Sequence, residues 1–504
     1  MLADIGQAFS NVMSFEPMLA IFVGVGGGLL IGAIPGLSVT MAMALLAPIT
    51  FFMDPLIGIS FLIGLFKGGT YGGSISAILI GTPGTAANAA TILDGYEMAK
   101  RGEAGKAILG GLYASLIGDF AGSIALVFGA PLLALVALRF GFPEYFALIL
   151  FSLTMVCYIS GNSLSKGIFA ASIGLFLGLI GSDPIGGVPR LTFGISKLQS
   201  GISVVPLAIG LFALSEVLVR AETLRSEKFR HIGKDALGSI QLKFSEILVN
   251  VRTILRSSAI GTLIGALPGI GSETSSWVAY GLAKRASKTP EEFGTGKLEG
   301  VLAPEAANNA VCGSAMIPML VFGIPGDVVT VLLMSALIAQ GLNPGPSLIE
   351  DNRVLFLGLF ISVFIATCFL FLIGRLSLKL WVRILNIPPA LLYGVVVVLC
   401  IVGTYGINSD FFDLVVMVFA GLLGYLMRRF DVGLPPLILT FVLSSLLENS
   451  FRRGMIQADG NILFFLERPI AVAFIVLTIL VLLGTAYRTI KSRKNEYEPV
   501  DMER

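Results

Sequence analysis

Two Pro-Gly interruptions of apolar sequence, each echoed later in the chain, restrict the possible folds more than any other feature. The first stretch reads Gly32-Ala33-Ile34-Pro35-Gly36-Leu37-Ser38-Val39-Thr40, then Gly81-Thr82-Pro83-Gly84-Thr85-Ala86-Ala87-Asn88. The echo reads Gly265-Ala266-Leu267-Pro268-Gly269-Ile270-Gly271-Ser272-Glu273-Thr274, then Gly323-Ile324-Pro325-Gly326-Asp327. The prolines of the two pairs stand 48 and 57 positions apart. Proline removes a helical donor and glycine admits left-handed backbone, so each Pro-Gly pair interrupts a helix. Backbone freed inside a bilayer persists only where protein or a water-filled cavity covers it. Interruptions at matching places in two halves point to a transporter binding site.

Composition places these segments in a bilayer. Of 504 residues, 55% are hydrophobic and only 13% charged, and mean hydropathy is +0.89. Soluble domains carry roughly 25% charged residues, so charge this sparse does not cover a water-facing surface. Glycine, at 60 residues, lets helix backbones approach closely in a membrane. A net charge of +2 offers nothing to nucleic acid. Cys157, Cys312, Cys368 and Cys400 lie far apart in apolar segments and form no metal or disulfide pattern. The N-terminus has no positive residue before its first apolar run, unlike a secretory signal.

The expected fold is an all-α polytopic membrane protein of about 12 or more spans, with two inverted-topology repeats of Pro-Gly-broken helices or re-entrant hairpins. The first repeat unit with its following scaffold helices covers 1–219, and a cytoplasmic linker covers 220–256. A second such unit covers 257–487 and a cytoplasmic tail 488–504. In the first unit, Lys67 to Ser74 is expected to close an apolar helix, with a short helical piece at Ile75–Ile80. In the second, Pro304 to Asn309 is expected to interrupt the apolar run Val301–Phe322. The linker carries the only histidine, His231. Lys and Arg concentrate in cytoplasmic loops, which puts 97–106, 220–256, 284–297, 375–383, 428–429 and the C-terminus inside. The N-terminus, 53–55, 341–352 and 403–410 fall outside, and Arg452 and Arg453 are exceptions to the rule. The first unit then enters from outside and the second from inside.

Broken helices leave N-termini inside the protein, with unpaired N–H groups and about half a positive charge, a natural receptor for carboxylate. Ser38 and Thr40 follow the first break, and Thr82, Thr85 and Asn88 surround the second. Ser272, Glu273 and Thr274 follow the third, and Asp327 the fourth. The candidate substrate-binding set is Pro35, Gly36, Ser38, Thr40, Lys67, Gly81, Thr82, Pro83, Gly84, Thr85, Asn88, Gly269, Gly271, Ser272, Thr274, Pro325 and Gly326. Carbonyl-bearing helix ends suit a cation, with Asn308, Asn309, Glu305 and Asp327 as candidate ligands. Plainer readings stand beside these. Pro-Gly pairs also kink helices for packing alone. Lys67 also fits snorkelling, or pairing with Asp94 or Asp119. Serine and threonine often satisfy their own helix carbonyls, and Glu273 and Glu305 also fit an aqueous face with no substrate role.

No enzyme chemistry is legible. One histidine excludes a His-Glu-x-x-His site. Gly294-Thr295-Gly296-Lys297-Leu298 lacks the first glycine of a phosphate loop and has Leu where Ser or Thr is required. Uphill transport would therefore draw on an ion gradient.

Six segments together carry a resemblance: 32–37, 67–76 (Lys-Gly-Gly-Thr-Tyr-Gly-Gly-Ser-Ile-Ser), 81–88, 265–271, 304–310 (Pro-Glu-Ala-Ala-Asn-Asn-Ala) and 322–326 (Phe-Gly-Ile-Pro-Gly). They resemble the large membrane subunit of bacterial tripartite tricarboxylate transporters over nearly the whole chain. The resemblance implies a permease driven by Na⁺ or H⁺ that imports citrate or related carboxylates, with no other cofactor. It implies a small membrane subunit of about four helices and a periplasmic substrate-binding protein as partners. The expected location is the bacterial inner membrane, with the N-terminus periplasmic and the C-terminus cytoplasmic. A homodimer is compatible with it. On this topology the Gly181–Ser203 loop lies outside and would help dock the binding protein. A non-transporting scaffold or receptor subunit, and a passive anion channel, are the alternatives.

Overall fold

The computed structural model describes residues 2–159, 163–223, 236–345, 348 and 351–496. His231, part of the 220–256 linker and the last residues of the tail lie outside the described residues. The described chain is almost entirely helical, with six helices long and apolar enough to cross a membrane and five shorter apolar ones. By contacts it forms two compact units: Met1–Leu138 with Ser203–Arg429, and Arg139–Ile202 with Phe430–Arg504.

The larger unit opens with α1 (Leu2–Val12), α2 (Phe15–Ala33), α3 (Val39–Thr50), α4 (Pro55–Ile80), α5 (Ala89–Lys100) and the 34-residue α6 (Ala104–Ala137). Local chemistry sets the ends of α4. Asp54 caps it, its Oδ1 accepting from the Leu56 N–H at 2.9 Å, and Pro55 occupies the first turn, where its missing N–H costs nothing. Gly81, at φ 68°, closes it in the left-handed conformation that a side chain resists. Between these ends the helix is continuous. Lys67 to Ser74 does not close it, contrary to the expectation from the glycine-rich run. The reason is packing: α2 lies against α4 at glycine contacts, and a Cβ on Gly28 or Gly68 would strike the opposing backbone. Those glycines serve close helix approach rather than a turn.

The helices α7 (Phe142–Ile159) and α8 (Leu164–Gly178) belong to the smaller unit. The larger unit resumes at α9 (Val204–Ala208), which runs through a π-turn at Ile209–Leu214 into α10 (Ser215–Thr223). After the linker come α11 (Phe244–Val249), α12 (Val251–Gly265), α13 (Gly271–Ala286), α14 (Leu298–Ser314), α15 (Met316–Phe322) and α16 (Val328–Ala339). Pro304 sits inside α14 and does not break it; the interruption falls at Ala315 instead. One missing donor is outweighed by burial, since every residue from Gly300 to Ser314 is buried. The α6 and α14 backbones also pack so closely that a Cβ at Gly118 would meet the Ala306 carbonyl. The order helix, break, helix, long helical segment, break, helix thus occurs twice, over α2–α5 and α12–α16. Then follow α17 (Arg353–Leu376), α18 (Leu378–Ile384), α19 (Pro389–Asn408) and α20 (Phe411–Arg429).

The smaller unit packs α7 and α8 with α21 (Pro435–Gln457) and α22 (Pro469–Glu496). Its Gly181–Ser203 segment carries a two-stranded antiparallel ribbon, Gly181 opposite Arg190 and Ser182 opposite Pro189. Arg190 grips Glu448 through two bonds of 2.7 and 2.9 Å, and Arg452 contacts both Asp183 (2.5 Å) and Glu448 (2.9 Å). Arg452 is therefore paired with two carboxylates.

Candidate functional site

The four breaks form two touching pairs. In the first, α2 gives way at Ile34, and Gly36, at φ 82°, turns the chain to Ser38, the cap of α3. Ser38 Oγ accepts from the Met41 N–H at 3.2 Å. The second break, Thr82 to Thr85, folds back on this region. The Gly84 N–H donates to the Gly73 carbonyl at 3.3 Å, and a Cβ on Gly84 would collide with the Gly32 carbonyl. In the second pair the link is direct: the Gly269 N–H donates to the Gly326 carbonyl at 2.8 Å. Gly271 then lies against Asp327. The two pairs are joined where α13 and α14 pack on the 3-10 turn Ala86–Asn88 that follows the second break. None of Pro35, Pro83, Pro268 and Pro325 is exposed.

The helix starts at these breaks differ in what their amides face. Ser38 caps α3. Asp327 caps α16 reciprocally, its Oδ1 accepting from the Thr330 N–H and Thr330 Oγ1 accepting from the Asp327 N–H, each at 2.8 Å. Asp327 is thereby engaged as a cap. At α13 the residue in the cap position is Ile270, which offers no side-chain acceptor. The first-turn amides of α13, beside half-buried Ser272 and Thr274, are thus a helix end without a side-chain cap, as are the starts of the Ala86–Asn88 turn and of α5, and such ends suit a carboxylate. Thr40 and Thr82 are likewise half-buried, and Thr85 Oγ1 donates to Asn88 Oδ1 at 2.5 Å.

Beneath the second break lies a buried polar cluster. Glu305 on α14 accepts at Oε1 from Thr91 Oγ1 (2.6 Å) and Asn88 Nδ2 (3.2 Å), and at Oε2 from Ser115 Oγ (3.4 Å). Asn309, one turn on, donates to Ser115 Oγ (2.8 Å) and to the Glu305 carbonyl (3.1 Å). Both amide atoms of Asn308 and the Oδ1 of Asn309 are buried without a hydrogen-bond partner. Such orphaned groups are costly and mark places where a polar ligand fits.

A model of the tripartite tricarboxylate transporter TctA family matches residues 18–439. The chain belongs to the TctA family. It is therefore a multi-pass membrane component of a transport system, not an enzyme, and a tripartite system has further components. Two relatives come from Agrobacterium vitis. One, described as an uncharacterized 52.8 kDa protein in the TAR-I ttuC' 3'region, is 36% identical over 496 residues, 98% of each chain. The other, an uncharacterized protein in the TAR-II ttuC' 3'region, is 37% identical over 236 residues, 47% of this chain and 98% of its own. No solved structure matches.

In this TctA-family chain Lys67, Asp119 and Asp94 are also buried, and each is held by partners within the protein. Lys67 Nζ donates to Asp119 Oδ1 (2.6 Å), Thr367 Oγ1 (2.8 Å) and Ser123 Oγ (3.2 Å), tying α4 to α6 and α17. Of the two partners its sequence position allows, Asp119 is the one it meets. Asp94 on α5 accepts instead from the Tyr280 hydroxyl (3.0 Å) and from three backbone amides, Gly294 and Gly296 at 2.9 Å and Lys297 at 2.8 Å. The glycine-rich 294–297 loop does cradle an anion, but the anion is the protein's own carboxylate. Sequence reading missed Thr91, Ser115, Ser123 and Thr367, because hydroxyls are common in membrane helices and nothing in their spacing sets them apart. Asp119 carried a signal, being the only carboxylate between Ala104 and Ala137.

Proposed function

We propose that this chain is the permease subunit of a binding-protein-dependent secondary transporter in a bacterial inner membrane, importing citrate or related carboxylates on a Na⁺ or H⁺ gradient. Substrate would lie between the two broken units. The first-turn amides of α13 with Gly269, Gly271, Ser272 and Thr274 would hold it from one side. Pro35, Gly36, Ser38, Thr40, Gly81, Thr82, Pro83, Gly84, Thr85 and Asn88 would line the other, with Pro325 and Gly326 supporting Gly269. Asn308, Asn309, Glu305 and Asp327 would serve the coupling cation, and Lys67 would support the site through its ties to α6 and α17. The observation that carries this reading is the contact between breaks far apart in sequence, seen in the Gly269–Gly326 hydrogen bond. Interrupted helices inside a membrane persist where protein or a cavity covers them, and transporter sites are formed by such ends.

Inverted repeats entering from opposite faces, with the N-terminus periplasmic and the C-terminus cytoplasmic, would allow elevator-like movement of the broken units against the other helices. A small membrane subunit of about four helices and a periplasmic binding protein would complete the system, the Gly181–Ser203 ribbon offering the latter a docking point. A homodimer would suit such a movement.

Uptake of labelled citrate into proteoliposomes, with and without ion gradients and binding protein, tests the reading. Gradient-driven accumulation is expected, with Ser272→Ala and Thr82→Val each weakening apparent affinity by about tenfold, near 1.4 kcal/mol. Flux without coupling to any ion would instead indicate a passive channel. No uptake with all components present would indicate a scaffold.

A further inference from the structure

Resting on the permease reading, the Glu305 cluster bears on which ion drives it. The Glu305 side chain is fully buried, and no lysine, arginine or histidine pairs with it among the described residues. Its neighbours Thr91, Asn88 and Ser115 are all neutral. The charges one turn away on the packed helices are already engaged. On α4, Lys67 is held by Asp119 of α6, and Tyr71 donates its hydroxyl to the Ile108 carbonyl at 3.0 Å. On α5, Asp94 is saturated by Tyr280 and the 294–297 amides. A carboxylate buried in a membrane interior without a cationic partner is costly, and a proton or bound cation relieves that cost.

The donor set distinguishes these two neutralisers. A hard cation needs several oxygens turning lone pairs toward one point. Asn88 turns its amide N–H toward Glu305, and its Oδ1 is taken by Thr85, so the oxygens a cation would have to share with Glu305 are the unpartnered Oδ1 atoms of Asn308 and Asn309, neither of which bonds to Glu305. The Thr91 and Ser115 hydroxyls, by contrast, donate to a carboxylate or, on rotation, accept from a carboxylic acid. One unchanged shell therefore satisfies both protonation states, which is what a proton carrier requires. Asn88 also joins Glu305 to Thr85 at the second break, so the carboxyl and the proposed substrate site share a side chain.

We propose that Glu305 is the proton-coupling carboxyl of this transporter. Facing outward, a carboxylate oxygen takes a proton from water, forming an O–H bond. Facing inward, that bond breaks and the proton passes to water on the other side, so one proton crosses per cycle with no redox step.

The intact transporter in proteoliposomes tests this, with labelled citrate as substrate and a trapped pH-sensitive dye. Without Na⁺, an acid-outside gradient is expected to raise wild-type uptake on the order of tenfold, with lumenal acidification that follows citrate. Glu305→Gln is expected to lose both responses while remaining monodisperse, and Glu305→Asp to retain acidification at a reduced rate. Wild-type uptake that follows a Na⁺ gradient alone, without acidification, overturns the proposal. So does Glu305→Gln that acidifies the lumen like wild type. Citrate uptake by Glu305→Gln that still rises with the acid-outside gradient as in wild type places the coupling carboxyl elsewhere. A wild type that moves no citrate under any gradient removes the permease reading itself, an outcome distinct from those three.

Discussion

At the scale of residues, the interior of this protein is decided by where each buried charge finds its partners. Asp94 takes four donors from two segments nearly 200 positions away, Tyr280 and the 294–297 loop. Asp94→Ala leaves the buried Tyr280 hydroxyl and three partly buried or exposed loop amides without their acceptor, and an unsatisfied buried group costs about 1–3 kcal/mol. A marked fall in the unfolding midpoint in detergent is therefore expected; an unchanged midpoint would show that the loop finds other acceptors. Lys67 and Asp119 form the buried ion pair of the larger unit, at 2.6 Å. Removing one partner of such a pair costs about 3–5 kcal/mol, while replacing both with apolar residues is often close to neutral. Lys67→Met and Asp119→Leu are each expected to destabilise more than the two combined. Thermal unfolding of the three variants measures this, and additive losses would mean that the pair does not act as a unit.

At the scale of elements, the ribbon between α8 and α9 shows how a polar loop is held on a largely apolar unit. Hydrogen bonds from the Gly186 and Ile185 amides, with Arg452, hold the Asp183 carboxyl well below the usual carboxylate range. A carboxyl depressed in the folded state contributes stability that is full above its unfolded value, about 3.9, and is lost as pH falls through the folded value. Protease resistance of the 181–203 loop is thus expected to hold from pH 7 to roughly pH 5 and to weaken only below roughly pH 4. Asp183→Ala is expected to open the loop at every pH, as limited proteolysis with a site-unselective protease would register. Loss of protection already at pH 6 would assign the anchoring to another group. The helix ends were more legible than this ribbon. Asp54-Pro55 and Gly81 bound α4 where their local chemistry predicts, yet the glycines between them gave the wrong reading, because a helix breaker and a close-packing surface use the same residue.

At the scale of the whole molecule, orientation is the expectation on which the inverted repeat depends. Single cysteines at Leu2 and Ser492 are expected to react with a membrane-impermeant maleimide from opposite faces. Reaction from the same face would break the topology on which the antiparallel arrangement of the two broken stretches stands.

Sequence by itself determined the solvent, the helical class and the four chain breaks. Those follow from hydrophobicity, charge density and the backbone limits of proline and glycine, all of which act locally. It also carried the family, through motifs that lie within single segments. The tertiary structure alone decided which break touches which, that Lys67 meets Asp119 while Asp94 goes to the 294–297 loop, and that Glu305 is ringed by Asn88, Thr91 and Ser115. Each of those depends on which helix faces are brought together across as many as 300 residues of chain. Hydroxyls, amides and single carboxyls carry no mark of their partner in a sequence; only packing supplies it.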